Sequence, residues 1–314
     1  MSLVADHIDL SFEEIRALQQ ISFEVQDGEL FGLIGPDGAG KTSLFRIMAS
    51  LLVPDAGRCI MQGFDVVKDY REVRKIIGYM PGRFSLYMDL SVEENLNFYA
   101  RVFGTSVSEN YDLIREVYQQ IAPFGKRLAR KLSGGMKQKL ALSCALIHRP
   151  RILLLDEPTT GVDAVSRREF WEMLKRIQKQ GITIVVSTPY MDEAELCDRV
   201  AMIQKGKLLE ITDPSLPVPE DTEALFSIRS SKEIYPYLKE IRKMDICRSA
   251  WLFGDKLHVR LHAKKDEGEL ISQIEAWNDP ALTYEAIRPS IEDRFMGLME
   301  LEHESGLENG GNSL

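Results

Sequence analysis

The feature that most limits what this chain can fold into is a glycine-rich loop at residues 35–42, with the sequence GPDGAGKT. It fits the pattern GxxxxGK[ST], follows an apolar run at 30–34 and precedes a helical spacing of apolar residues over 41–52. Glycines let a backbone wrap closely around a phosphate, and successive N–H groups and the N-terminus of the next helix then point at the anion. We therefore predict a P-loop between a buried strand and a helix.

Two side chains of this loop have expected roles in binding ATP with Mg²⁺. Lys41 is expected to reach the β- and γ-phosphates, and the Thr42 hydroxyl is expected to ligate Mg²⁺. The residues predicted to hold the nucleotide here are Gly35, Pro36, Asp37, Gly38, Ala39, Gly40, Lys41, Thr42 and Ser43.

A second apolar run, at 151–155, ends in two acidic residues, Asp156 and Glu157. Asp156 at the carboxyl end of a buried strand can hold the metal through water, and Glu157 can polarise a water for attack on the γ-phosphate. Alone, such a run is more often a strand that meets a solvated loop. Together with the P-loop it predicts a hydrolytic site, with Glu157 as the catalytic residue and Asp156 as the metal residue beside Thr42.

A third motif, LSGGMKQ at 132–138, begins a predicted helix. A Ser-Gly-Gly helix start can bind an anion, although the same residues also form a plain N-cap with a glycine turn. The order of P-loop, LSGG and LLLDEP over about residues 1–211 resembles the ABC ATPase family. The resemblance implies an α/β fold with a mixed-sheet P-loop core, an antiparallel β subdomain and a helical subdomain inserted at about 88–148.

The resemblance also implies partners, because in that family the LSGG motif of one subunit covers ATP held by the P-loop of another. The motif residues here are Ser133, Gly134, Gly135 and Met136. Phe12 has the position of the aromatic residue that stacks on adenine, although it could also be an ordinary apolar strand residue. Residues 161–163 match the loop that crosses the dimer interface, and 84–95 resemble the segment at which exporter ATPases contact a transmembrane permease subunit.

Two positions depart from the family pattern. The loop at 78–82 normally ends in a glutamine that contacts Mg²⁺ and the attacking water, but here it ends in Gly82. The strand at 184–188 is normally followed by a histidine that holds the γ-phosphate, but here Pro189 follows, which has neither a side-chain donor nor an N–H. We predict a site that holds MgATP and hydrolyses it slowly, while LSGG completes a partner's site, which favours a heterodimer over a homodimer. The alternative is that both changes are tolerated because Glu157 is retained.

Strands alternate with helices through the first two thirds of the chain, which predicts a mostly parallel, doubly wound sheet. Residues 20–34 are predicted to form a hairpin across the Asp27-Gly28 turn. Ser91, with Glu94 three residues later, predicts a capping box at the start of a helix.

The C-terminal third is predicted to be a separate small domain. A proline-rich linker at 212–223 precedes residues 224–302, whose pattern predicts β-α-β-β-α-β and a last helix over 290–302, an α+β domain of ferredoxin-like type. It looks like the C-terminal extension of drug-exporter ATPases. His258 and His262 are predicted to lie on a solvated face, and the tail at 303–314 is predicted to be disordered.

Composition narrows the function classes. The net charge of −9 argues against nucleic acid as a partner, because binding it depends on cationic contacts to phosphate. The four cysteines are predicted to be reduced and mostly buried, since they lack metal-site spacing. No apolar run approaches the roughly 20 residues of a membrane-spanning helix, so another chain is expected to supply the membrane spans.

The favoured function is the ATP-binding and hydrolysing subunit of a membrane exporter of the drug or multidrug type. Such a subunit is cytoplasmic and peripheral on the inner face of the cell membrane. One alternative is a soluble ABC-type ATP switch, although such proteins usually carry two ATPase domains or a long coiled-coil insert. The other alternative is a non-hydrolysing sensor with a ligand-binding or dimerising C-terminal domain.

Overall fold

The computed structural model describes residues 1–82, 85–216 and 224–310, with side chains up to Glu302. The chain divides into two compact units between Ser215 and Leu216, within the predicted linker. All four cysteines are free and three of them are buried, as predicted. Among the residues described, there is no helix with the length and apolar character that crossing a bilayer requires.

After its third strand, the first unit has strands and helices that follow one another singly or in short runs. The strands are β1 (Leu3–Phe12), β2 (Ile15–Val25), β3 (Leu30–Ile34), β4 (Ala56–Met61), β5 (Phe64–Asp65), β6 (Ile77–Met80), β7 (Ile152–Asp156), β8 (Thr183–Thr188), β9 (Arg199–Gln204) and β10 (Lys207–Thr212). The helices are α1 (Lys41–Met48), α2 (Tyr70–Ile76), α3 (Val92–Val102), α4 (Tyr111–Tyr118), α5 (Gly134–Leu146), α6 (Ala164–Gln178) and α7 (Met191–Ala194).

The central sheet has six strands in the order β10-β9-β3-β8-β7-β6. Neighbours from β9 to β6 are parallel and β10 is an antiparallel edge, so the sheet is mixed, as predicted. Strands β3, β7 and β8 are buried along their whole length, as expected of parallel strands covered on both faces. Because parallel strands end at one edge of the sheet, the loops after β3, β7 and β8 lie close together there.

A second sheet of this unit is antiparallel, in the order β2-β1-β4-β5. The predicted hairpin over 20–34 is wrong, because β2 pairs with β1 in this sheet while β3 pairs with β8 and β9 in the central one. The turn is where it was expected, with Gly28 at φ 72°, but it connects two sheets. Alternation in the sequence marks each strand and cannot say with which neighbour the strand pairs.

Helices α3, α4 and α5 lie within the segment predicted to be helical, and α5 contacts both of the others. The predicted capping box is present at α3, where the Ser91 side chain accepts from Glu94 N and the Glu94 carboxylate accepts from Ser91 N at 2.7 Å. The buried Asn95 amide donates to the carbonyls of Tyr87 and Leu90, which fixes the loop before the helix. The start of this helix is therefore held by side-chain hydrogen bonds.

The second unit forms one antiparallel sheet covered by helices. Its elements are β11 (Leu225–Ser230), α8 (Tyr235–Ile241), β12 (Cys247–Phe253), β13 (Lys256–Leu261), α9 (Glu267–Ala276), β14 (Leu282–Ala286) and α10 (Ile291–Gly310). The strand order is β12-β13-β11-β14, with every neighbour antiparallel. The predicted order β-α-β-β-α-β is therefore the observed one.

Two predictions for this unit are wrong. Helix α10 continues to Gly310, so residues 303–310 extend the helix that begins at Ile291, where the sequence predicted a disordered tail. Residues 311–314 lie outside the described part of the chain. His258 is not on a solvated face, because Asp293 of α10 reaches it and leaves its side chain only 12% exposed.

Candidate nucleotide site

The glycine-rich loop lies where it was predicted, between the carboxyl end of β3 and the N-terminus of α1. Two of its glycines have positive φ, 79° at Gly38 and 105° at Gly40. At Gly40 an added Cβ would also lie 2.6 Å from the Ala17 carbonyl oxygen. Glycine is therefore required at the residue from which this backbone enters the helix.

The Lys41 side chain is buried and turned back toward its own loop. Its Nζ donates to the Gly35 carbonyl at 2.8 Å and to the Pro36 carbonyl at 3.0 Å. The same ammonium lies 3.2 Å from Glu157 Oε1. A cation held among loop carbonyls and a carboxylate can exchange these partners for phosphate oxygens, to which it would form charge-assisted hydrogen bonds.

The two predicted metal residues lie together. Thr42 Oγ1 is 3.3 Å from Asp156 Oδ1, and Ser187 Oγ donates to the same oxygen at 2.8 Å. Asp156 is the last residue of β7 and is buried. A hydroxyl and a carboxylate suit Mg²⁺, which takes oxygen ligands and completes its shell with waters and substrate phosphates. Thr42 and Asp156 therefore fit the metal.

Glu157 is held in an unusual backbone conformation at the start of the loop after β7. Its φ is 48°, in the left-handed region that residues other than glycine rarely adopt. Its N–H is bonded to both the carbonyl and the hydroxyl of Ser187, at 3.2 and 2.9 Å. Ser187 thus contacts both acidic residues, and sequence reasoning missed it although it ends an apolar strand at the same edge of the sheet.

One cavity of about 640 Å³ is lined by Phe12, P-loop residues 38–43 and Glu157, while Asp156 and residues 35–37 are not among its lining residues. Its lining residues are Phe12, Glu14, Ile15, Arg16, Ala17, Gln19, Gly38, Ala39, Gly40, Lys41, Thr42, Ser43, Glu157 and Lys205. Phe12 is 45% exposed at the end of β1, which fits a ring that stacks on a base better than an apolar core residue.

Four polar residues of this cavity were not predicted: Glu14, Arg16, Gln19 and Lys205. Gln19 Nε2 donates to the Lys205 carbonyl at 2.9 Å, so strand β2 is fastened to the β9–β10 turn beside the cavity. Arg16 follows Phe12 closely in the sequence, so it could have been predicted to line the same cavity. Lys205 carries no motif, and only the fold brings it to the P-loop.

None of the LSGG residues lines this cavity. Ser133 is the N-cap of α5 and accepts from Met136 N at 3.3 Å. An added Cβ at Gly134 would lie 3.5 Å from the Gly161 carbonyl oxygen, and one at Gly135 would lie 2.7 Å from Ser166 Oγ. The motif therefore lies against Gly161 and Ser166 of its own chain, and a second subunit would be needed to bring such a helix start to the cavity.

Gly82 and Pro189, the two departures, both lie at the edge of the site. An added Cβ at Gly82 would lie 3.1 Å from the Asp156 carbonyl oxygen and 3.6 Å from its Oδ2. Pro189 directly follows β8, which ends in Thr188. Gly82 therefore presents no side chain to Asp156 where the family pattern has glutamine.

Tyr79 also lies near Asp156. Burial, and secondly the charge of Asp156, raises the pKa of Tyr79 to about 12.

Comparison with known proteins gives the following similarities. A family model described as ABC transporter matches residues 18–160. The chain is 46% identical over 201 residues to the probable multidrug ABC transporter ATP-binding protein YbhF of Escherichia coli (strain K12), covering 63% of this chain but only 35% of YbhF. It is 29% identical over 305 residues to the linearmycin resistance ATP-binding protein LnrL of Bacillus subtilis (strain 168), covering 94% of this chain and 97% of LnrL.

Among solved structures, a similar fold is that of the ATP-binding cassette MJ0796, a dimeric post-hydrolysis state bound to ADP and Pi. The two chains are 25% identical with a TM-score of 0.61, and the match covers 67% of this chain and 98% of that one. The chain thus contains a whole cassette of this kind, while it spans about a third of the length of YbhF.

Proposed function

The chain belongs to the ATP-binding proteins of ABC transporters, and on that premise we propose that it binds MgATP and uses its hydrolysis to drive a membrane exporter. The observation that carries the proposal is a cavity lined by Lys41, Thr42 and Glu157, with Asp156 Oδ1 3.3 Å from the Thr42 hydroxyl. The exporter direction is supported by the relatives, one named as a multidrug transporter protein and one as a resistance protein.

The residues of the cavity have distinct tasks in this proposal. Lys41 leaves the Glu157 carboxylate, 3.2 Å away, and binds the β- and γ-phosphates. Thr42 and Asp156 would hold Mg²⁺, which neutralises charge on the phosphate oxygens when bound. Once free of Lys41, Glu157 accepts a proton from the water that attacks the γ-phosphate.

We further propose that hydrolysis at this site is slow. Transition-state charge on the γ-phosphate must be met by fixed donors, and loss of one typically costs about 10²–10³ in rate. Gly82 supplies no side chain and Pro189 supplies no donor of any kind. The residues that hold ATP are retained, so binding should suffer less than turnover.

A second ATPase subunit is the first proposed partner. The LSGG helix start is exposed at Ser133 and Gly134 and would cover nucleotide held by that subunit. MJ0796, of the same fold, is dimeric with ADP and Pi bound. Because this chain has an intact LSGG and an altered site of its own, we propose a heterodimer in which the partner's site hydrolyses faster.

A transmembrane permease subunit is the second proposed partner. Helices α3 and α5 and strand β6 border an apolar groove of about 450 Å³, whose lining includes Leu51, Leu86, Tyr99, Val102, Phe103 and Ala141. Beside it, Tyr87 and Met88 are 49% and 40% exposed. The predicted partner segment, 84–95, borders this groove, although Phe84 itself lies outside the described residues. We propose that a helix of the permease binds here, which places the chain on the inner face of the membrane.

The decisive test of the site is ATP binding and steady-state turnover of the purified chain, with Glu157→Gln as reference. We expect MgATP to bind and turnover to stay near that of the reference, and Pro189→His to raise turnover by up to about 10²-fold. Turnover on the order of 1 s⁻¹ or more in the unaltered chain would refute the slow site. Absence of ATP binding would refute the ATP-binding function itself.

The permease proposal is tested by fractionating the producing cells. We expect the chain to sediment with membranes and Phe103→Asp to release it. Val67→Asp is the matched control, because Val67 and Phe103 are both 39% exposed and only Phe103 lines the groove. A chain that never sediments with membranes would favour the alternative of a soluble ATP switch.

A further inference from the structure

A buried carboxylate outside the nucleotide cavity joins two segments that border it. Glu193 of α7 is only 1% exposed. Its Oε1 accepts from Thr159 Oγ1 at 2.7 Å, and its Oε2 accepts from Thr188 Oγ1 at 2.5 Å. Both threonines are themselves buried. One carboxylate therefore uses one oxygen for each of two separate chain segments.

The first segment is the turn that begins at Glu157. Thr159 stands two residues after it, and the Thr159 carbonyl accepts from Val162 N at 3.2 Å. The Glu157 carbonyl accepts from Thr160 N at 3.3 Å in the same turn. Holding the Thr159 side chain thus fixes the backbone that carries Glu157 at its strained φ.

The second segment is the end of β8. Thr188 is its last residue, and its hydroxyl also accepts from Tyr190 N at 3.0 Å, across Pro189. The preceding residue, Ser187, is the one that contacts Asp156 and Glu157 N. Since Pro189 offers no N–H of its own, the Thr188 hydroxyl and Glu193 hold this loop in place.

A cation completes the cluster. Arg167 of α6 lies with its Nε 3.8 Å from Glu193 Oε1 and with its guanidinium 4.5 Å from the centre of the Tyr190 ring. It also lies 3.6 Å from Asp192. Two hydroxyl donors and a nearby guanidinium are the kind of partners that a buried carboxylate requires.

We propose that Glu193 is a positioning residue for hydrolysis, which sets the distance between the turn that carries Glu157 and the end of β8. It touches neither nucleotide nor metal, and it acts through Thr159 and Thr188. This inference rests on the proposed function, because the task it assigns to Glu193 is to align the residues that act on the γ-phosphate.

The test compares three variants of the full chain: Glu193→Ala, Glu193→Gln and Glu29→Ala. Glu29 is the matched control, since it is 7% exposed and bonded to Arg199 at 2.7 Å, but it precedes β3 at the opposite end of the sheet from the site. Loss of either buried carboxylate lowers stability. Only loss of Glu193 should disturb the site.

In a Pro189→His background, which gives a raised turnover to measure, we expect Glu193→Ala to lower kcat by about 10- to 100-fold with KM for ATP changed much less. Misplacement of catalytic groups of the order of 1 Å has effects of this size. Glu193→Gln should restore most of kcat, because its amide keeps an acceptor for Thr188 and can donate to Thr159. Glu29→Ala should keep kcat. An unchanged kcat in Glu193→Ala, or an equal loss in Glu29→Ala, would overturn the proposal.

Amide hydrogen exchange of Val162 and Tyr190 supplies a readout that needs no turnover. Both amides should exchange about tenfold faster in Glu193→Ala than in Glu29→Ala, since their acceptors are the two threonines that Glu193 holds. Equal exchange in the two variants would overturn the proposal. A chain that binds no MgATP would refute the proposed function, and the exchange rates would still decide the role of Glu193.

Discussion

Two buried aspartates, one in each unit, differ in how many of their carboxylate oxygens accept hydrogen bonds. Asp156 is 1% exposed and accepts two hydroxyls, both at Oδ1, while its Oδ2 faces Gly82. Asp293 is 0% exposed and uses both oxygens, with His258 Nδ1 donating to Oδ1 at 2.6 Å and Ser290 donating to Oδ2 through its N–H and its hydroxyl.

The difference distinguishes a carboxylate that can bind a ligand, Asp156, from one that stabilises the fold, Asp293. A buried charge is costly unless hydrogen bonds compensate it. Among the described residues, the hydroxyls bonded to Asp156 both meet Oδ1, which leaves Oδ2 available for a ligand. The complete set around Asp293 fastens the start of α10 to β13. Predictions from this contrast are that Asp156 governs metal binding and that Asp293 governs stability.

The largest expected effect is on metal affinity. Mg²⁺ should tighten ATP binding about 10- to 100-fold less in Asp156→Asn than in the unaltered chain. This factor is the usual cost of losing a group that holds a metal through water. Calorimetric titration with ATP, with and without Mg²⁺, measures it. The thermal stability of the first unit should stay equal or rise, because a buried charge is removed. If Asp293→Asn weakened the Mg²⁺ dependence equally, the contrast would fail.

The next effect is on the second unit. Asp293→Asn should destabilise it by about 1–3 kcal/mol, because His258 and Ser290 lose a charged acceptor inside the fold. A Trp171→Phe background leaves Trp251 and Trp277, both in the second unit, as fluorescence reporters of urea unfolding. Asp255→Asn, in the exposed turn before β13, is the control and should change little. An equal loss in both variants would show that burial of Asp293 contributes nothing.

A smaller effect comes from the serines that donate to each carboxylate. Ser290→Ala removes a helix cap from α10 and should cost the second unit about 1 kcal/mol. Ser187→Ala should change Mg²⁺ affinity, with the first unit's stability altered less. Measuring both variants by both assays sharpens the contrast, and a Ser290→Ala variant as stable as the parent chain would weaken it.

The smallest effect is a pH dependence of the second unit. Desolvation raises the pKa of Asp293, but hydrogen bonds from His258 and Ser290 outweigh it, so its pKa lies below the ordinary value. A carboxyl with a lowered folded pKa stabilises the fold above its ordinary pKa of about 4, and this stability is lost as pH falls through the folded value. The Tm gap to Asp293→Asn should therefore narrow from about pH 6 to about pH 3. A constant gap would contradict this assignment.

Sequence reasoning located most of the elements and the contiguous motifs, and it failed on the C-terminal helix and on the pairing of the strands at 20–34. The P-loop, the acidic pair and the Ser91 capping box are each defined by a few adjacent residues, so the spacing fixed them. Ser187 and Lys205 carry no local signature and were missed. The hairpin at 20–34 was wrong because its two strands pair with different partners, and their own alternation holds no information about those partners.

By itself, the sequence determined which backbone can surround a phosphate and which side chains it offers, because glycine conformations and helix starts depend on neighbouring residues alone. Only the tertiary structure decided that Lys41 lies 3.2 Å from Glu157, that Glu193 joins Thr159 to Thr188, and that α10 covers His258. These contacts depend on which faces of the sheets are buried against which helices. The packing of the whole chain determines that arrangement.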